Sequence, residues 1–322
     1  MRFQALGDTI ITLPYLQSLK NNYPEIRVHF YTRKEVSGIP EALDLFEKVI
    51  AIGGGRNAKI QFILSLFQLP GLWWQHYDAV LDLQNHKISR AIRFLLFPKA
   101  WSEFDKYSAC AAGERTRQTI ESLGLKNIGI NSNFQFRRNL PVENLLVANG
   151  WNGISQLVVL NPAGNLPSRN WPVENYAEFA RIWLEKKSQS AQFVLMLMNH
   201  HEEKAKKIKQ ELGNHCIDQS GKTSALEAFL VIRKSQLVLT EDSGLMHMAW
   251  VQSIPTLALF GSSRKDWSAP QGELSHCMDA ADLDCGPCML AVCLFKDNRC
   301  LTRYSPAFVF DMSMQLLAKA NP

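Results

Sequence analysis

The chain has 322 residues, 46% of them hydrophobic and 20% charged, with a formal net charge of +5. Those proportions describe a globular protein of about two ordinary domains and exclude a disordered chain. No apolar run reaches the roughly 20 residues that a bilayer-spanning helix needs, and residues 1–6 lack the basic start and apolar core of a secretory leader, so the expected compartment is the cytoplasm.

In chain order, residues 3–6 read as a short strand, Gly7-Asp8 as a turn and residues 9–21 as an amphipathic helix. Residues 26–31, 49–52 and 78–83 follow as strands, the last ending in the polar loop Gln84-Asn85-His86. Around residues 144–155, Asn149-Gly150-Trp151-Asn152-Gly153 interrupts the pattern and marks the expected join of two domains. Beyond it, strands are expected at 157–160, 193–198, 237–240 and 256–260, with helices starting near Pro172, Glu202 and Ser243. Strands alternating with helices imply two α/β domains with parallel sheets, 1–150 and 151–305, and a closing helix at 306–322. Two such domains offer a cleft at the carboxyl ends of their strands, where ligands of these sheets bind.

Charge is uneven between the halves. Residues 1–150 carry 18 basic and 13 acidic side chains, while the remainder is balanced at 17 each. The first half therefore suits an anionic partner, a phosphorylated lipid or a nucleic acid, although a solvated surface would look the same. No helix-turn-helix, zinc-finger or RNA-binding signature is present, which argues against nucleic acid.

Three local patterns can carry chemistry. In Thr240-Glu241-Asp242-Ser243-Gly244-Leu245-Met246-His247 a strand gives way to a helix. Asp242 or Ser243 can cap that helix, Gly244 leaves room for a ligand, and the first N–H groups can meet a diphosphate. A well-capped helix with a satisfied histidine at His247 would use the same residues. The loop of residues 161–172 follows a strand and carries Arg169, whose guanidinium can neutralise a phosphate; a solvated surface arginine is the plain alternative. Asp8, at the end of the first strand, is placed either to cap a helix or to accept the proton of an attacking hydroxyl.

Taken together and in order, Leu6-Gly7-Asp8-Thr9, Pro162-Ala163-Gly164 running to Asn170-Trp171-Pro172, Gly221-Lys222-Thr223-Ser224, Asp242-Ser243-Gly244 to His247-Met248-Ala249, Leu259-Phe260-Gly261 and Cys285-Gly286-Pro287-Cys288 resemble glycosyltransferase family 9, the bacterial heptosyltransferases of lipopolysaccharide core assembly. The resemblance covers nearly the whole chain. It implies a GT-B architecture of two facing Rossmann-like domains, with the acceptor on the N-terminal one and the nucleotide-sugar on the C-terminal one. It also implies an inverting transfer that requires no cofactor or metal and uses a donor that is ADP-heptose in most of the family. By position, Asp8 matches the catalytic base, and Gly164 and Asn165 match the loop touching the donor phosphates. Arg169 stands where the family has a phosphate-binding lysine, and Asp242, Ser243, Gly244 and His247 match the segment cradling the donor. The implied acceptor is an anionic glycolipid at the cytoplasmic face of the inner membrane, met by basic residues of the first half such as Arg33, Lys87 and Arg90.

Three departures qualify the match. Only Met1 precedes Arg2, where the family has several apolar residues, so the expected sheet edge is shortened or the start lies further upstream. Arg169-Asn170 replaces Lys-Arg, and Gly164 and Asn165 replace hydroxyl residues. Cys285, Cys288, Cys293 and Cys300 are spaced C-x2-C-x4-C-x6-C, a set that could hold structural zinc tetrahedrally, with reduced thiols or a local disulfide as alternatives. Residues 92–101 interleave Arg93 and Lys99 with Phe94, Phe97 and Trp101, which suits a membrane interface as well as it suits helix packing. The competing functions are a related transferase with another nucleotide-sugar or a protein acceptor, and a degenerate nucleotide-sugar-binding protein.

Overall fold

The computed structural model describes residues 1–138, 140–164 and 166–320. The chain divides into two compact units, Met1–Asn139 and Leu140–Pro322.

The first unit contains α1 (Leu6–Asn22), β1 (His29–Arg33), α2 (Gly38–Ala42), β2 (Lys48–Ile52), α3 (Ala58–Trp73), β3 (Ala79–Asp82), α4 (Lys87–Leu95), β4 (Ala100–Glu103) and α5 (Ala112–Glu121). Its strands form two parallel pairs, β1 with β2 and β3 with β4. The strand expected at residues 3–6 does not form, because α1 already begins at Leu6 and residues 1–4 are bonded mainly through side chains. Arg2 N–H donates to the Tyr31 carbonyl at 3.0 Å and the Met1 amino group to the Leu81 carbonyl at 2.7 Å, so this segment touches both pairs. Thr32 Oγ1 donates to the Arg2 carbonyl and Phe3 N–H to the Gln84 side chain, which replaces a regular ladder. Phe3, Tyr31, Ile52, Leu69, Leu72, Ile88 and Ile92 close the core around it.

The second unit contains α6 (Val142–Ala148), β5 (Leu157–Asn161), α7 (Val173–Lys186), β6 (Gln192–Leu195), α8 (Glu202–Leu212), β7 (Cys216–Asp218), α9 (Ala225–Arg233), β8 (Ser235–Glu241), α10 (Gly244–Trp250), β9 (Thr256–Leu259), α11 (Lys265–Ser268), β10 (Ser275–Met278), α12 (Arg299–Thr302) and α13 (Pro306–Ala320). The unit starts earlier than the expected join at residue 150: α6 packs against α9, and Glu143 pairs with Lys234. An exposed Gly-Asn loop reads as a linker, but here it is a turn within the unit. The closing helix, expected at 306–322, is α13, and it too packs into this unit, with Phe310 5.9 Å from the Trp183 ring.

All six strands of this unit are parallel, in the order β10-β9-β8-β5-β6-β7. Chain order reverses between β5 and β8, the arrangement of a doubly wound Rossmann sheet. Every residue of β5 and β6 is buried, as expected of strands covered by helices on both faces, and their Val/Leu-rich sequence reflects it. Phe179, Trp183, Phe193, Leu195 and Leu239 form the centre of the core. The crevice at the switch point lies beside the last residues of β5 and β8, Asn161 and Glu241.

Candidate functional site

Glu241 organises the switch point. It is fully buried at the end of β8, and its Oε2 accepts from Gly164 N–H at 2.5 Å while Oε1 accepts from Trp171 N–H at 2.7 Å. One carboxylate thus ties both ends of the loop after β5. Burial pushes this carboxyl up to about 7, opposed by the nearby Lys204 ammonium, the two N–H groups and the Tyr176 hydroxyl. Lys204, half-buried on α8, donates to the Pro162 carbonyl at 3.0 Å and to the Asn170 side chain. Burial lowers its pKa, and Glu241 partly restores it.

Gly164 has to be glycine here. A Cβ would lie 2.3 Å from the Arg169 carbonyl oxygen and 2.9 Å from the Glu241 carboxylate. The loop therefore folds back on itself, and its tight turn over Pro167–Arg169 is braced from below. Ser168 N–H donates to the Ala291 carbonyl at 3.2 Å, Ser168 Oγ reaches Ser262 Oγ at 2.8 Å, and Asn298 donates to the Pro167 carbonyl.

This fixes Arg169 beside the second strand end. Its Nη1 is 3.4 Å from Asp242 Oδ2, with both side chains only 18% exposed, and Ser263 Oγ donates to the same oxygen at 2.7 Å. Arg169 Nε is buried and finds no hydrogen-bond partner among the described residues. Ser243 caps α10, accepting from Met246 N–H, and is itself bonded by Asn161 Nδ2 at 2.6 Å. The first N–H groups of α10, at Gly244 and Leu245, have no partner within the helix. Gly244 has open space where a Cβ would stand.

The structure thus brings Gly164, Arg169, Asp242, Ser243 and Gly244 together. Asn165 lies outside the described residues. His247 is buried one turn into α10, where its Nδ1 accepts from the Trp250 indole at 3.0 Å, so the satisfied-histidine reading describes that nitrogen.

In the first unit, Asp8 sits in the first turn of α1 and serves as a cap, its Oδ2 accepting from Ala5 N–H at 2.8 Å. Its Oδ1 is 2.9 Å from the buried Arg2 guanidinium, yet the side chain stays 40% exposed. It is therefore oriented and accessible at once. Arg33 is not a free cation: it is buried, with Nε donating to the Phe3 carbonyl at 2.7 Å and Nη1 to Gly55. Lys87 and Arg90 are exposed in the first turn of α4, with Arg90 Nε on the Asn85 side chain.

The four cysteines line one cavity with Ser168, Gly261 and Ser262, and all are free thiols. Among the described residues, no three side chains of His, Cys, Asp or Glu gather closely enough to hold a metal ion. The thiols act as donors instead, Cys293 to Asp297 and Cys300 to the Ser168 carbonyl, and burial raises the Cys300 pKa. The segment braces the Arg169 turn.

The family model described as Glycosyltransferase family 9 (heptosyltransferase) matches residues 132–298, just over half of the chain. The chain belongs to this family and is a glycosyltransferase. Lipooligosaccharide heptosyltransferase 2 of Campylobacter jejuni is 24% identical, over 98% of this chain and 97% of that protein. The crystal structure of the family 9 glycosyl transferase from Veillonella parvula superimposes with a TM-score of 0.82 at 17% identity, covering 98% of this chain and 96% of that one. The E. coli ADP-heptose lps heptosyltransferase II gives 0.74 at 17% identity over the full length of both. The fold is the GT-B-like α/β fold of these proteins.

Sequence reasoning passed over Glu241 and Lys204. A signal for the first was present: a carboxylate closing the apolar run Leu237-Val238-Leu239 must be paired if that strand is buried. Nothing in the charged pattern of α8 singled out Lys204.

Proposed function

We propose that the chain moves a heptose from ADP-heptose to an inner-core acceptor of lipopolysaccharide, with inversion at the anomeric carbon and without a metal, at the cytoplasmic face of the inner membrane. In this reading the second unit holds the donor and the first unit the acceptor. The observation that carries it is Arg169, partly buried at the switch point with its Nε–H unmet among the described residues and its guanidinium set against Asp242 beside the N-terminus of α10. A donor diphosphate would draw the guanidinium from Asp242 and accept from the first N–H groups of α10, at Gly244 and Leu245. Membership of the family and the heptosyltransferase relatives support the sugar.

Asp8 is the proposed base. The acceptor hydroxyl gives its proton to the Asp8 carboxylate while its oxygen bonds to C1 of the heptose. The bond from C1 to the β-phosphate oxygen breaks, and ADP leaves with the charge that Arg169 stabilises. Lys87 and Arg90, both exposed, are the residues proposed to meet acceptor phosphates; Arg33, engaged by Phe3 and Gly55, acts by holding the segment of residues 2–5.

Calorimetry with ADP, UDP, GDP and ADP-heptose tests this. Selective binding of ADP and ADP-heptose is expected, weakened about ten- to hundredfold in Arg169→Ala, the scale of a lost charge-assisted bond. Preference for UDP or GDP would replace the proposed donor, and equal binding in Arg169→Ala would remove Arg169 from the site.

A further inference from the structure

Helix α3 carries an apolar stripe on its outer face. Its buried face is formed by Gln61, Ser65, Leu69 and Leu72. The polar members are bonded inward, Gln61 to the Gly55 carbonyl, Ser65 Oγ to the Gln61 carbonyl at 2.7 Å, and the neighbouring Gln68 to Ala51 and the Tyr31 hydroxyl. The opposite face carries Ile60, Ile63, Leu66 and Phe67, followed by Trp74, all exposed. Phe67 is 79% and Trp74 82% exposed. These positions recur at helical spacing, so they form one stripe. A surface helix of an isolated globular protein keeps its outward face polar, so it is this outer stripe that departs from the usual pattern.

The stripe is extended by a second element. Trp73 donates its indole N–H to the Leu95 carbonyl at 2.7 Å, and α3 packs on α4. Just past that contact, Phe94 and Phe97 lie 6.2 Å apart and are 74% and 73% exposed. Contiguous exposed apolar surface of this kind marks an interaction site.

The charges say what it meets. Between residues 56 and 103 there are six basic side chains and three acidic ones, Asp78, Asp82 and Glu103; Asp82 is buried, Glu103 faces Arg90 and Arg93, and Asp78 pairs with Lys99. Residues 56–77 contain no acid at all, while Arg56 and Lys59 at the start of α3 and Lys87 and Arg90 at the start of α4 are exposed. Tryptophan, phenylalanine and cations around one apolar stripe suit a bilayer interface with anionic headgroups. Two copies pressed together on this face would instead bring like charges together. Among the described residues no helix is long and apolar enough to cross a membrane, so the contact lies on the surface.

We propose that the outer face of α3, with the exposed end of α4, docks the protein onto an anionic lipid surface; this rests on the reading of the acceptor as a glycolipid. Lys59 and Arg56 reach the headgroups, and Phe67, Trp74, Phe94 and Phe97 enter the acyl boundary.

Co-sedimentation with vesicles of phosphatidylcholine, with and without roughly one-third phosphatidylglycerol, tests it on the full chain. Wild type should bind the anionic vesicles, and binding should weaken with salt. The double variant F67S/W74S should bind about tenfold less or worse at every salt concentration, while R56E/K59E should lose the salt-sensitive part. Unchanged circular dichroism melting confirms that these exposed substitutions leave the fold intact. ADP calorimetry on the same samples separates the two ideas: if no protein binds nucleotide, the donor reading fails while the vesicle result still decides docking. Absence of wild-type binding to anionic vesicles overturns the proposal, as does undiminished binding by F67S/W74S. A wild-type dimer that this variant dissociates would make the stripe an interface between copies and overturn it equally.

Discussion

The two units solve the same folding problem with different completeness. The second lays six parallel strands edge to edge and buries them under α7, α9 and α13, so its sheet and core are continuous. The first divides four strands into two pairs, bridged by main-chain and side-chain bonds of residues 1–4. Its core also keeps an apolar cavity lined by Leu16, Phe30, Tyr31, Val80 and Leu96, and much of its aromatic surface faces outward on α3 and α4. A continuous sheet gives fixed strand ends. A divided one leaves apolar surface exposed and orients the Asp8 carboxylate by an arginine from the irregular segment.

The sharpest way to break this comparison is to separate chemistry from binding. Asp8→Asn, in the first unit, should lower kcat by about 10²–10⁴ and leave ADP-heptose affinity unchanged in calorimetry, since the proposed donor groups lie in the other unit. Near-normal turnover would show that the division of labour is wrong.

Stability should divide the same way. Phe193→Ala, at the centre of the second core, should cost about 3–5 kcal/mol in denaturant unfolding. Phe67→Ser, on the stripe, should change stability by no more than about 0.5 kcal/mol. Comparable losses at the two sites would mean that the stripe is packed in solution.

Acidity gives the smallest effect. The Glu241 carboxyl is raised to about 7 in the folded chain from an ordinary value of 4.5, so the folded state holds the proton more tightly. Its contribution to stability is full below about pH 4.5 and is lost as the pH climbs through 7, at most about 3 kcal/mol. Glu241→Gln should flatten that decline between about pH 5 and 8 in thermal melts. It should also loosen the Arg169 turn, because a Gln amide cannot accept from both Gly164 and Trp171 N–H with its nitrogen end.

Much of the second unit was legible in the sequence because its signals are local. Apolar runs such as Leu157-Val158-Val159-Leu160 fill strands whatever surrounds them, and Ser243 before a helical pattern caps a helix by its own geometry. Those runs, the order of the short motifs and the residues Arg169 and Asp242 came from the chain alone. Tertiary structure decided the rest. It paired Glu241 with a loop 70 to 77 residues away, set Lys204 against the same carboxylate, turned Arg33 into a brace and left Ile63 and Phe67 of α3 outside the core. Each of these outcomes depends on which distant backbone atoms a side chain meets once buried, and a burial partner is fixed by the packing of the whole unit, not by spacing along the chain.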